Sequence, residues 1–214
     1  MSETNRIIFL GGGAASGKST AYRNLSNFYE RKEVYISNDK WIEEHAKDPR
    51  NPTTEEFKEA KSWEQKQLET FLAEKQNLII LDTTLRDAEL ALGRIQKAKL
   101  AGYEVWILAI STDIYEADNR NRERAKIENR SVVDTPSFIR THDDFHKNII
   151  KLITNPDVDR AWIFSFPMED NQECSFELEL NSKVGWKRLI EERQLRIAQY
   201  KKDAENPKKV KLDS

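Results

Sequence analysis

The residues between positions 12 and 19 read Gly12-Gly13-Ala14-Ala15-Ser16-Gly17-Lys18-Ser19, so that Gly12 and Gly17 bracket four residues ahead of a Lys-Ser pair. That spacing can hold phosphate. Glycines let backbone N–H groups turn inward on anionic oxygens, and a helix starting near Lys18 adds its positive N-terminal end. Lys18 can reach the β- and γ-phosphates, and the Ser19 hydroxyl can sit on Mg²⁺. The apolar run Ile7-Ile8-Phe9-Leu10 precedes the motif, giving the strand, loop and helix order of a P-loop. ATP and Mg²⁺ are the cofactors implied, with Gly12, Gly13, Ala14, Ala15, Ser16, Gly17, Lys18, Ser19 and Thr20 as the nucleotide-binding residues. Gly11, Gly12, Gly13 and Gly17 are four of only seven glycines in the chain, concentrated where backbone must approach a ligand.

Other polar groups are expected at the same edge. Asp82 ends the apolar run Leu78-Ile79-Ile80-Leu81 and can join Ser19 in orienting Mg²⁺; its alternative role is a helix cap. Asp39, in Ile36-Ser37-Asn38-Asp39, is the candidate general base that takes the proton of an acceptor hydroxyl, with capping of the next helix as the alternative. Thr84 and Arg86 follow Asp82 and offer a hydroxyl and a guanidinium to a polar acceptor, making them substrate-binding candidates beside Asp39. Among the arginines after position 119, Arg124 and Arg130 are the candidates for stabilising the phosphoryl group in transit, set against a plain solvated helix laced with i,i+4 pairs. His142 and His146 stand one helical turn apart but lack the third ligand of a metal site.

These residues need a scaffold that gathers strand ends. Apolar runs at 6–10, 34–37, 78–82, 105–110 and 161–164 alternate with helical patterns at 19–31, 53–75, 87–100 and 113–129. The alternation predicts a three-layer α/β/α P-loop fold with a mostly parallel central sheet and a helical lid, ligands collecting at the strands' carboxyl ends. A short strand is expected at 174–180 and a charged helix at 183–202. One domain over 1–203 and a flexible basic tail over 204–214 complete the organisation. The net charge of −2, from 35 basic and 37 acidic residues, gives no global field for nucleic acid or membrane, and the five tryptophans are scattered as core residues are. Cys174 is the only cysteine, no run reaches membrane-helix length, and residues 1–6 have no apolar signal core, so a cytoplasmic location is expected.

With the P-loop, the Asp39 turn, the loop Asp82-Thr83-Thr84-Leu85-Arg86, Gly102-Tyr103-Glu104 and the arginine helix in this order, the chain resembles zeta toxin kinases from about residue 7 to residue 164. The resemblance implies ATP-dependent phosphorylation of UDP-N-acetylglucosamine at a sugar hydroxyl. It assigns the P-loop lysine to Lys18, the catalytic aspartate to Asp39, the substrate loop to Asp82 and Thr84, and the phosphate-facing arginine to Arg124. It also implies a toxic activity and a small helical antitoxin that blocks the ATP site. The chain departs from the family pattern at Asp82 and Thr83, often glutamate and glycine, and at Ser37, often acidic. Two alternatives stand beside the sugar nucleotide kinase: a polynucleotide, nucleoside or dinucleotide kinase, and a nucleotide-dependent binding switch with little catalysis.

Overall fold

In the computed structural model, which describes residues 4–26, 33–127, 132–165 and 183–205, the most apolar runs form the centre of one sheet. Strands β1 (Arg6–Gly12), β3 (Leu78–Thr83) and β4 (Glu104–Ser111) carry side chains buried on both sheet faces, so they take interior positions. The shorter β2 (Val34–Ile36) and the strand β5 (Arg160–Ser165) close the edges. The order is β2-β3-β1-β4-β5 and every pairing is parallel. The connection leaving β1 runs to the far edge while those leaving β3 and β4 run the other way. A crevice therefore opens at the carboxyl end of β1.

Helix α1 (Lys18–Ser26) packs Ala21 on one face, against Ile8, Leu10, Ile80 and Leu108. The other face is covered by α3 (Thr54–Ala73), α4 (Ala88–Leu100), α6 (Thr135–Ile153) and α7 (Lys183–Glu205), whose apolar stripes meet Ile7, Phe9, Leu81 and Ile107. Helix α5 (Ile114–Ile127) rests on α6 and α7 through Ala117, Phe138, Ile197 and Tyr200. Helix α2 (Asn38–His45) stands between β2 and α3.

Local chemistry sets the helix starts. Thr53 and Glu56 form a reciprocal capping box at α3, Asp87 accepts from Leu90 N–H at 3.0 Å to cap α4, and Asp134 accepts from Ser137 N–H at 3.0 Å to cap α6. The sequence patterns assign no element to 135–153, yet α6 is a 19-residue helix that buries Phe138, His142, Phe145, Ile149 and Leu152 along one stripe. Helix α7 runs to Glu205, past the end expected at 202 and past the boundary drawn at 203. The expected strand at 174–180, Cys174, Arg130 and the tail beyond 205 lie outside the described residues. Among the described residues no helix is long and apolar enough to cross a membrane.

Candidate active site

The loop after β1 is held open by contacts that glycine alone permits. A Cβ on Gly12 would collide with the Ser16 hydroxyl and come within 2.9 Å of the Ile110 carbonyl, and one on Gly13 would lie 2.6 Å from the His142 ring. Gly17 has φ 98°, and Ala15 takes a left-handed φ of 55° with no glycine to ease it. Lys18 donates to the carbonyls of Gly12 and Gly13 at 3.2 and 3.3 Å, which folds its ammonium back over the loop. Ser19 is exposed and Thr20 half-buried in the first turn of α1.

Register does the rest of the positioning. Leu10 pairs with Asp82 and Gly11 with Thr83, which puts the Asp82 carboxylate beside the root of the phosphate loop. Its Oδ1 is 4.0 Å from Lys18 Nζ, and its Oδ2 accepts a 2.6 Å hydrogen bond from the Tyr35 hydroxyl. Burial pushes the Asp82 carboxyl above its ordinary range against the opposing pull of Lys18 and Tyr35, and the nearby Asp39 charge adds to the rise. Asp82 lies in the strand; the cap of the next helix is Asp87. Likewise Ser37 caps α2, leaving Asp39 exposed in its first turn.

Lys18, Asp39, Asp82, Thr84 and Arg86 line one cavity of about 780 Å³ between the strand ends and α2, α3 and α4. That is the size range of small-molecule sites. Four polar lining residues within these helices carry no signal in the sequence: Lys61, Glu64 and Gln65 from α3, and Arg94 from α4. Glu64 and Arg94 form an ion pair with side chains 4% and 8% exposed, tying the two helices together across the cavity. Burial raises the Glu64 carboxyl while the Arg94 guanidinium pulls it back. Leu85, at φ 51°, turns its buried side chain into the notch left by Gly11, so the loop carrying Thr84 and Arg86 rests directly on β1.

Arg124 is half-buried on α5 and is not among the cavity-lining residues. Arg120 and Arg122 pair with Glu116 and Asp118 one turn earlier, the solvated-helix arrangement. Arg140 faces a separate groove that it shares with Arg86. His142 and His146 are buried and bonded to protein groups, and among the described residues no cluster of three or more His, Cys, Asp or Glu forms a metal cage. A divalent ion here would need phosphate oxygens as partners, for which the hard oxygen donors of Ser19 and Asp82 are chemically suited.

Among the described residues the sheet has five parallel strands in this order with a phosphate loop leaving its central strand, the P-loop architecture, and the family match makes the chain a P-loop kinase. The zeta toxin family model matches residues 2–181, and the chain belongs to that family. No curated protein sequence matches it. Among solved structures it is similar to a chain of the PezAT chromosomal toxin–antitoxin system of Streptococcus pneumoniae, at 20% identity and TM-score 0.62 over 92% of this chain and 88% of that one. An AvrRxo1-ORF1:ORF2 complex solved with ATP matches at 16% identity and TM-score 0.62, over 90% of this chain and 64% of that one. A kinase-like protein of Chloroflexus aurantiacus matches at 12% identity and TM-score 0.58, over 93% and 99% of the two chains. At these identities the likeness is one of fold.

Proposed function

We propose that the chain transfers the γ-phosphoryl group of ATP to a hydroxyl of UDP-N-acetylglucosamine or a related sugar nucleotide, acting in the cytoplasm as a toxin. The observation that carries this reading is the single cavity in which Lys18, Asp39, Asp82, Thr84 and Arg86 converge beside the phosphate loop. An exposed carboxylate, a hydroxyl and a guanidinium around a space of about 780 Å³ suit a polar, anionic acceptor.

In this reading residues 12–20 wrap the nucleotide phosphates, with Gly12, Gly13, Ala14, Ala15, Ser16 and Gly17 contributing backbone. Lys18 exchanges the Gly12 and Gly13 carbonyls for β- and γ-phosphate oxygens. Thr84 and Arg86 orient the acceptor. Asp39 hydrogen-bonds its hydroxyl and accepts the proton as the new oxygen–phosphorus bond forms and the bond to the β-phosphate oxygen breaks, releasing ADP. Arg124 and Arg130 stabilise charge on the moving group once nucleotide is bound. Ser19 and Asp82 would hold Mg²⁺, which when bound neutralises phosphate charge. The PezAT relative comes from a toxin–antitoxin system, which supports a small helical antitoxin as the partner here.

The test is mass spectrometry of the protein incubated with Mg·ATP and a pool of UDP-sugars, nucleosides, dinucleotides and short oligonucleotides, with Lys18→Ala as control. Phosphorylated UDP-N-acetylglucosamine that depends on Lys18 is the expected product. A different phosphorylated species replaces the acceptor and keeps the kinase; no product despite ATP binding favours a nucleotide-dependent switch.

A further inference from the structure

The two histidines of α6 are absorbed by no catalytic step, yet one of them touches the phosphate loop at its most constrained point. His142 is fully buried, and its Nε2 lies 2.8 Å from the carbonyl oxygen of Ala14. A carbonyl only accepts, so Nε2 carries the proton and Nδ1 is bare. Nδ1 has no partner among the described residues and faces Gly13, whose missing side chain makes room for the ring. The preceding residue of the same helix, Thr141, accepts the Ala14 N–H at 3.3 Å. Both backbone polar groups of Ala14 are thus taken by consecutive residues of α6.

The consequence follows from peptide planarity. In a trans peptide the C=O and the next N–H point in opposite directions. Pulling the Ala14 carbonyl outward onto α6 therefore turns the Ala15 N–H toward the interior of the loop, where an anion would sit. Ala15 must adopt its left-handed φ of 55° in that arrangement, a conformation an alanine leaves unless something holds it. A second clamp of the same kind acts two residues on: the Thr112 hydroxyl donates to the Ser16 carbonyl at 2.7 Å, which sets the Gly17 N–H. His146 backs the first clamp. Its Nδ1 donates to the His142 carbonyl at 2.7 Å and its Nε2 accepts from the Ser111 hydroxyl at 3.0 Å, fixing α6 to the end of β4.

We propose that His142 is a positioning residue that presets the Ala14–Ala15 peptide, so that the loop meets nucleotide phosphate with the Ala15 N–H already turned inward. Burial lowers the His142 pKa to about 4, so the neutral ring with one donor persists at physiological pH. This inference rests on the reading of residues 12–19 as the phosphate site.

Glutamine and methionine have similar length and shape, but only glutamine can donate to the Ala14 carbonyl. Calorimetric titration with Mg·ATP of wild type, His142→Gln and His142→Met separates the donor from the packing. The expected result is a Kd about tenfold weaker for His142→Met and within about threefold of wild type for His142→Gln. Met binding as tightly as wild type, or Gln and Met equally weakened, overturns the proposal. Wild type failing to bind Mg·ATP overturns the phosphate-site reading itself, a distinct outcome. Histidine ¹⁵N NMR of the wild-type chain supplies a check that needs no variant to fold. His142 must show a protonated Nε2 and a bare Nδ1, and the opposite tautomer overturns the assignment.

Discussion

The phosphate loop and the acceptor cavity meet at Lys18 but are made of different material. On the phosphate side the proposed ligand-facing groups are backbone amides, and the chain is shaped by Gly12, Gly13, Gly17 and the α6 side chains behind them. On the proposed acceptor side the cavity is lined by side chains from α2, α3, α4 and the loop after β3. Under the proposed function, changes on the first side act through geometry and affect any nucleotide, while changes on the second act through chemistry and select the acceptor.

The contrast can be broken most severely at Asp39. Asp39→Asn keeps the shape and removes the base, so the transfer rate should fall about 10²–10⁴-fold while the Mg·ATP Kd stays unchanged. A parallel loss of nucleotide affinity would place Asp39 on the phosphate side and sink its role as base. Next is the buried pair across α3 and α4: Arg94→Ala leaves Glu64 unpaired and should cost about 3–5 kcal/mol in urea unfolding. The double variant Glu64→Leu/Arg94→Met should recover most of that stability while leaving acceptor KM altered, dividing structure from selection. On the phosphate side, Gly12→Ala forces a methyl against Ser16 and the Ile110 carbonyl and should cost about 1–3 kcal/mol, with nucleotide binding lost.

The smallest effect on stability tests the boundary between the two. A carboxyl raised in the folded state favours folding while protonated and loses that contribution as the pH rises through the folded-state value, so the burial of Asp82 disfavours the unliganded fold at neutral pH relative to acid pH. Asp82→Asn should therefore raise the stability by about 0.5–2 kcal/mol at pH 7 while abolishing metal-supported transfer. The gain should shrink as the pH falls toward the ordinary value of 3.8. A variant that is less stable at pH 7 would show that the Lys18 and Tyr35 contacts outweigh desolvation.

What could be read from the residues divides along the same line. The phosphate loop announces itself because its residue types are contiguous and costly anywhere else; glycine in a glycine-poor chain has few other uses. The buried strands are legible because both faces must be apolar. Glu64 and Arg94 are invisible in one dimension: thirty positions apart on charged helices, each looks like a solvated surface residue until α3 and α4 are packed side by side. Helix α6 carries its own signals, the Asp134 cap, Pro136 in the first turn and an apolar stripe from Phe138 to Leu152, but it stands beyond the regular alternation of apolar runs and helical patterns that makes the earlier elements legible. Arg124 and Arg130 rest on motif order alone, since one lies away from the cavity and the other outside the described residues.

The notch at Gly11 bears on how such a protein can change over generations. Leu85 occupies the volume a side chain at position 11 would need, so the two positions share one small space. A lineage drifting toward a new acceptor can rewrite Thr84 or Arg86 without touching that space, but a side chain at position 11 requires Leu85 to turn aside or shrink. Positions 11 and 85 are thereby coupled, and descendants should carry the pair as a linked trait.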